Sequence, residues 1–419
     1  MKELKFDSVP YIIRNKNYST ITFKLIYSCN YEEKDLVYIN LLQPLISNYS
    51  KKCKIEQEFK LELVKRLIIN MTFKKMILND NLFLTFTLTV PDPKRVKDFN
   101  IENAFSFFYD MIYNPNVSNG EFDKKQLERE REYIKSNLNE SLKRISNFSY
   151  QRFISYFDDK SELKNNMYNN IDLLDKVTPK DLYKYYKSVI IDNTPICIVY
   201  GDVDKEKVNT LYYKYFKKND KPIIINKNYN CYLIPKSDTS YIEEKSDYNQ
   251  SALYFGYKIE KMSEKDRIYL SLLCNILCSR ETNLIFNALR VDNNLIYSYN
   301  FGCKSKNAMF FIEAYISKNS KDKTITIIDE MFRNIKNKNK IKEYIDKILV
   351  GIEYELIESK DSKYFKLNEF IAKKSESGFT LKEIYNGYKK INIDKFLKFL
   401  ERVKLDTIYF LRGEANEKE

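Results

Sequence analysis

Glu33-Lys34-Asp35-Leu36-Val37-Tyr38-Ile39-Asn40-Leu41-Leu42 returns in the second half of the 419-residue chain as Glu264-Lys265-Asp266-Arg267-Ile268-Tyr269-Leu270-Ser271-Leu272-Leu273. Each copy follows a strand-like run and opens a helix-like one, so the echo marks an internal repeat before any single motif is considered. Working outward, Cys197-Ile198-Val199-Tyr200-Gly201-Asp202 is matched by Ile408-Tyr409-Phe410-Leu411-Arg412-Gly413-Glu414, each a closing strand followed by glycine. Leu82, Leu84, Phe86, Leu88 and Val90 alternate as a strand with one buried face does, and Met309 to Ile316 holds the same place in the second half. A long amphipathic helix comes next in each half. Leu127, Ile134, Leu138, Leu142 and Ile145 line one face in the first, and Ile341, Ile345, Ile348, Ile352 and Leu356 do so in the second. Thr178-Pro179 supplies a helix cap with proline in the first turn, and Ile393-Asp394 begins its weaker counterpart. Each half reads as strand, helix, strand, helix, long helix, helix, strand. That order predicts an α+β fold whose sheets are mixed or mostly antiparallel and covered on one side by helices.

The length suits two domains, because single cores stop growing at roughly 250–300 residues. The expected division is 1–216 and 231–419, joined by the polar stretch 217–230, in which Lys217-Lys218-Asn219-Asp220-Lys221-Pro222 breaks the preceding helix. No run of apolar residues reaches the ~20 needed to span a bilayer, and the start of the chain has no apolar signal core, so the expected location is the cytoplasm, with no membrane partner. Seven scattered cysteines suit free core thiols better than a disulfide framework. Cys274 and Cys278 lie one helical turn apart, but with Cys303 isolated in sequence the reading there is core packing, not metal. The formal charge of +13 is spread among alternating lysines and acids, so nucleic acid is not the expected partner. The glycine-rich phosphate loops are absent, and there is no histidine, which removes the commonest zinc ligand and the commonest general base near neutral pH. Glu128, Glu130 and Glu132, interleaved with Arg129 and Arg131, read as a solvated helix face.

The duplicated order, in halves of ~200 residues, resembles the insulinase (pitrilysin-type) peptidase family, the inverzincins. The resemblance rests on Phe122-Asp123-Lys124-Lys125-Gln126-Leu127-Glu128-Arg129-Glu130-Arg131-Glu132 at the start of the long helix, on Tyr150-Gln151-Arg152-Phe153, and on Val177-Thr178-Pro179-Lys180-Asp181-Leu182. In the second half it rests on Asn249 to Tyr257 and on Arg290-Val291-Asp292-Asn293-Asn294-Leu295-Ile296-Tyr297-Ser298, which is similar to the family's R-x-x-x-G-L-x-Y element with Asn294 in place of glycine. It implies two homologous domains forming a clamshell.

In that family an H-x-x-E-H motif on the first helix and a glutamate on the long helix hold and use zinc. Here the matching positions are Asn40, Gln43 and Pro44, with Ser136 or Asn137 at the distal position, so no metal, cofactor or catalytic residue is expected. The resemblance implies a non-catalytic subunit of the bacterial two-component type, similar to the kind associated with modification of translation elongation factor P or with peptide antibiotic maturation. Such a subunit pairs with a zinc-bearing homologue as a heterodimer, or with itself as a homodimer, and takes a peptide or protein substrate. Arg290 and Tyr297 would contact the substrate backbone or the tetrahedral intermediate. The rival reading is a stand-alone peptide-binding or scaffold protein of the same fold, in which Arg290 is a surface arginine and Tyr297 a packed strand residue.

Overall fold

A computed structural model describes residues 3–29, 32–78, 81–158, 166–217, 223–226, 232–359 and 379–414, together with Ser362, Phe365, Glu369 and Phe370. The chain divides into two compact units, Met1–Glu140 with Asn165–Asn228, and Ser141–Lys164 with Tyr229–Glu419.

The first unit is built on a five-stranded sheet of β2 (Tyr11–Arg14), β3 (Thr20–Cys29), β4 (Asn70–Leu78), β5 (Asn81–Pro91) and β8 (Ile196–Gly201) in the order β2-β8-β3-β5-β4. Only the β2–β8 pair is parallel. β1 (Glu3–Phe6) pairs with β9 (Ile223–Asn226), and β6 (Val117–Ser118) with β7 (Glu121–Phe122). Thus part of the expected 217–230 linker is strand, while 218–222 and 227–230 lie outside the described residues. The helices are α1 (Glu33–Asn48), α2 (Glu56–Lys65), α3 (Ile101–Tyr113), α4 (Lys124–Leu142), α6 (Pro179–Tyr186) and α7 (Lys205–Tyr215), with α5 (Ile145–Phe157) in the chain between α4 and α6. Alternation on β3 and β5 turns Phe23, Leu25 and Tyr27, with Leu84, Phe86 and Leu88, toward one face, where Leu42 and Ile46 of α1 and Phe105, Phe108 and Ile112 of α3 complete the core. Thr178 caps α6 by accepting from the Asp181 N–H at 3.1 Å, with Pro179 in the first turn.

The second unit repeats this sheet. Its strands are β10 (Ser240–Ser246), β11 (Ser251–Ile259), β12 (Ile296–Lys304), β13 (Met309–Ile316) and β14 (Val403–Gly413), in the order β10-β14-β11-β13-β12, again with one parallel pair at the same edge. Its helices are α8 (Arg267–Cys278), the single turn α9 (Leu284–Phe286), α10 (Lys321–Asn334), α11 (Lys338–Glu358), α12 (Leu381–Lys389) and α13 (Ile393–Glu401). Identical strand order and identical pairing sense in both units are what a duplicated sequence predicts.

Two expectations give way. The long apolar face does not continue from Leu142 to Ile145: α4 ends at Leu142, and Arg144 takes extended backbone (φ −84°, ψ 123°) to start α5. Nor is the second sheet covered on one side only. α5 lies on its other face, where Phe153, Ile154 and Phe157 pack with Tyr254, Phe311, Tyr315 and Tyr409, so that β11 is buried at every position. The approach is close enough that a Cβ on Gly256 would stand 2.5 Å from the Phe157 ring and 2.9 Å from that of Phe153. Residues 141–158, placed with the first domain by the sequence boundaries, therefore pack with the second unit.

Candidate functional site

The metal-motif positions lie on α1, whose apolar residues Leu36, Leu41, Leu42, Leu45 and Ile46 are buried, leaving Asn40 and Gln43 half-buried. Both amides are spoken for by polar neighbours. The Asn40 side chain donates to the Leu36 carbonyl at 2.6 Å, and its Oδ1 accepts from the Lys75 ammonium at 2.7 Å. Gln43 donates to the Phe73 carbonyl at 3.1 Å. Lys75 is a β4 residue opposite Leu84, on the core-facing side of the sheet, and loss of water there holds its pKa below the usual lysine range. Pro44 sits inside the helix and offers neither a side-chain donor nor an N–H. Ser136 and Asn137 are exposed on α4. These residues do not fit zinc. Neutral amides are weak ligands for it, and the one charged group beside them is a cation, which repels a dication. Among the described residues no cluster of three or more His, Cys, Asp or Glu is arranged to hold a metal ion.

The start of α4 corrects the sequence reading in a second way. Glu130 and Arg131 are buried, not solvated. Glu130 accepts from the Tyr49 hydroxyl and from Arg129, each at 3.1 Å, and burial pushes its carboxyl above the usual range. Arg131 donates to the carbonyls of Leu174 and Val177 at 2.9 and 2.6 Å and to Glu128 at 2.6 Å. The arginine thus ties the long helix to the segment that enters α6. The two carbonyls lie more than forty residues away, so the local alternation of charge carries no sign of the role.

In the second unit Arg290 and Tyr297 come together around one turn. Residues Asn287–Val291 form a π-helical turn, the chain reverses through Asn294 at φ +49°, and β12 begins at Ile296. Asn294 takes the left-handed conformation that a glycine would accept most readily. The Arg290 guanidinium donates to the Asn294 side chain at 3.0 Å and to the Ile296 carbonyl at 2.7 Å. Pairing of β12 with β13 skips Tyr297, where the register shifts between Ile296 and Ser298, and the tyrosine side chain stands 62% exposed at the sheet's edge. A bulge of this kind re-aims a side chain away from the ladder. Arg290 holds the main chain beside the bulge; Tyr297 presents a hydroxyl to whatever approaches the edge.

A cleft of about 880 Å3 opens elsewhere in the second unit, between the end of α8, α11 and α12, lined by residues including Asn275, Glu281, Gly351, Tyr354 and Glu355. By the opening echo Asn275 is the counterpart of Pro44, and counting along α4 and α11 from Leu127 and Ile341 makes Gly351 the counterpart of Asn137. The Glu355 carboxyl is held above the usual range by burial and by the nearby carboxylates of Glu281 and Glu358.

Residues 176–348 match a family model described as the Peptidase M16 inactive domain. A probable inactive metalloprotease, YmfF of Bacillus subtilis (strain 168), is 22% identical over 337 residues, covering 79% of this chain and 78% of that protein. Among solved structures, a conserved protein from Enterococcus faecalis V583 superposes with a TM-score of 0.82 at 15% identity, covering 99% of this chain and 100% of the other. A protease from Helicobacter pylori does so at 0.72 and 16% identity, covering 98% and 100%.

Proposed function

From the premise that this chain is an inactive homologue of the M16 peptidases, the insulinase family, we propose that it is the non-catalytic subunit of a cytoplasmic peptide-processing pair. A zinc-bearing homologue supplies the metal and the water-activating base. This chain supplies a second peptide-binding surface, with the Tyr297 hydroxyl donating to the substrate backbone or to the oxyanion that develops during hydrolysis. Arg290 acts as a positioning residue that holds the backbone from which Tyr297 projects. The observation that carries the reading is the Arg290–Ile296 hydrogen bond beside an exposed tyrosine at a β-bulge. The lysine that sits against Asn40 supports the division of labour, because a chain with that site has no zinc chemistry of its own to lose.

The test is co-expression with a zinc-bearing homologue from the same organism and purification through a tag on this chain. The expected result is a heterodimer with zinc at about one ion per pair and peptide cleavage that needs both chains. In that complex Y297F lowers kcat/KM by roughly a hundred- to a thousand-fold, the range set by loss of one oxyanion donor, and R290A lowers it through the misplaced tyrosine, while co-purification is unchanged in both. Absence of pairing overturns the proposal. Full activity in both variants, with pairing intact, removes Arg290 and Tyr297 from it and leaves a scaffold subunit.

A further inference from the structure

A cleft of about 580 Å3 lies in the first unit between the edge strand β2 and the start of α7, within the roughly 300–1,000 Å3 usual for ligand sites. Its floor is apolar. Pro10 and Ile12, two apart and so on one face of the strand, line it together with Val203, and Pro10 and Val203 are buried. Its rim is cationic. Arg14, next on the same face, and Lys94, Lys205 and Lys207 are all exposed there. Asp202 holds two of them, accepting from the Arg14 Nε at 3.2 Å and from the Lys94 ammonium at 2.8 Å, with the terminal guanidinium nitrogens still able to donate. The Asp204 carboxylate also lines the cleft but is engaged by the helix, accepting from the N–H groups of Glu206 and Lys207 at 2.8 and 3.1 Å. The Glu206 side chain, between the two lysines in sequence, does not line it. Among the described residues the Lys205 and Lys207 ammonium groups form no ion pair. Both stand in the first turn of α7, where the macrodipole favours anions, so the helix itself gains nothing from their charge.

We propose that this cleft binds a peptide segment that is acidic and partly apolar. Lys205 and Lys207 take its carboxylates, with Arg14 and Lys94 beside them, and Pro10, Ile12 and Val203 cover its apolar side chains. Both halves of that ligand are needed to match the lining. Inorganic phosphate brings charge but nothing for the apolar floor to bury. Nucleic acid brings charge and bases, yet no aromatic side chain lines the cleft for a base to stack on. A peptide alternating acidic and apolar residues brings charge for the rim and apolar surface for the floor. Binding here involves the first unit alone and needs neither a second subunit nor Tyr297, so its failure would leave the proposed pairing untouched.

The test is isothermal titration calorimetry of the full chain with a short synthetic peptide that alternates glutamate and leucine. Two control peptides replace every glutamate by lysine or every leucine by serine. The expected result is saturable binding of the first peptide, none of the lysine peptide, weaker binding of the serine peptide, and loss of affinity as added salt shortens the screening length. The double variant K205E with K207E is expected to weaken binding roughly tenfold or more, since two attractive charges become repulsive. Glutamate suits the first turn of a helix, so the variant keeps its fold, which an unchanged thermal melt checks. Four results overturn the proposal: no saturable binding of the glutamate and leucine peptide, equal affinity in the double variant, equal affinity for the serine peptide, or displacement of the peptide by a single-stranded oligonucleotide that binds more tightly.

Discussion

Phe153→Ala tests the assignment of α5 to the second unit's sheet, the feature on which its two-sided core depends. The ring is fully buried, stacked on Tyr254 at 4.6 Å between centroids and on Phe157 at 5.0 Å, with Phe311 at 5.5 Å. Removing a phenyl group from such a site costs about 3–5 kcal/mol, the transfer free energy of the ring plus the cavity it leaves. Because α5 packs on β11 and β14, the loss falls on the opening of the second sheet. Native-state hydrogen exchange resolves this element by element. Amides of β11, β13 and β14 that exchange through opening of this sheet are expected to speed up by roughly a hundred- to several-thousand-fold, since about 1.4 kcal/mol is a factor of ten. Those of β3, β5 and β8 in the first unit keep their wild-type rates. Equal acceleration in both sheets, or less than about tenfold in the second, refutes the reasoning.

Two further outcomes follow from charge. Glu244 accepts from the Arg152 Nε at 3.0 Å and from the Tyr409 hydroxyl at 2.8 Å, and chiefly the arginine holds its carboxyl down at about 2 from an ordinary 4.5. A carboxyl whose folded pKa lies below its unfolded one stabilises the fold fully above pH 4.5 and loses that contribution as pH falls toward about 2. After discounting for partial solvent exposure the contribution is on the order of 1–2 kcal/mol. Urea melts of E244Q against wild type are therefore expected to converge across that acid window, and a constant difference contradicts the assignment. Separately, rebuilding the metal motif as N40H, Q43E, P44H and N137E is expected not to yield stoichiometric zinc while Lys75 remains, because unit charges ~4 Å apart repel by on the order of 4 kcal/mol at an effective dielectric near 20. Adding K75L is expected to raise zinc content, and full zinc binding with Lys75 in place refutes the argument.

What the sequence made legible was whatever it states locally and twice. β5 and β13 show as alternation or apolar density, β8 and β14 as apolar runs closed by glycine, and α1 and α8 through a shared opening. The edge strand β4 went unread because edges carry polar and charged residues, and Lys74 and Lys75 interrupt its apolar run. The end of α4 was hidden because neither glycine nor proline marks it; Arg144 breaks the helix through its backbone conformation alone. Of the site, the want of histidine and carboxylate at 40, 43 and 44 is plain in the letters, and the positive φ at Asn294 was foreseeable from its place in the R-x-x-x-G-L-x-Y pattern. The lysine set against Asn40 and the buried Arg131 were not visible, since each joins residues more than thirty positions apart.

These non-local contacts show how the two copies of one fold have diverged at the same place. In the first unit the helix turn at Asn40 to Pro44 is closed from the β4 side, by Lys75 on the asparagine and by the Phe73 carbonyl on the glutamine. In the second, the corresponding turn from Ser271 to Asn275 opens on the cleft between α8, α11 and α12. Ser271 and Asn275 both bond to the Tyr388 hydroxyl, at 2.8 and 2.7 Å, so that turn too is satisfied by polar side chains and not by a metal. A buried polar group persists where its partners satisfy it. On such a turn the hydrogen-bonding positions are filled by whatever the adjoining strand or helix can offer. Zinc ligands placed on α1 alone would therefore meet Lys75 and the Phe73 carbonyl, and a metal site there requires change on β4 as well as on α1.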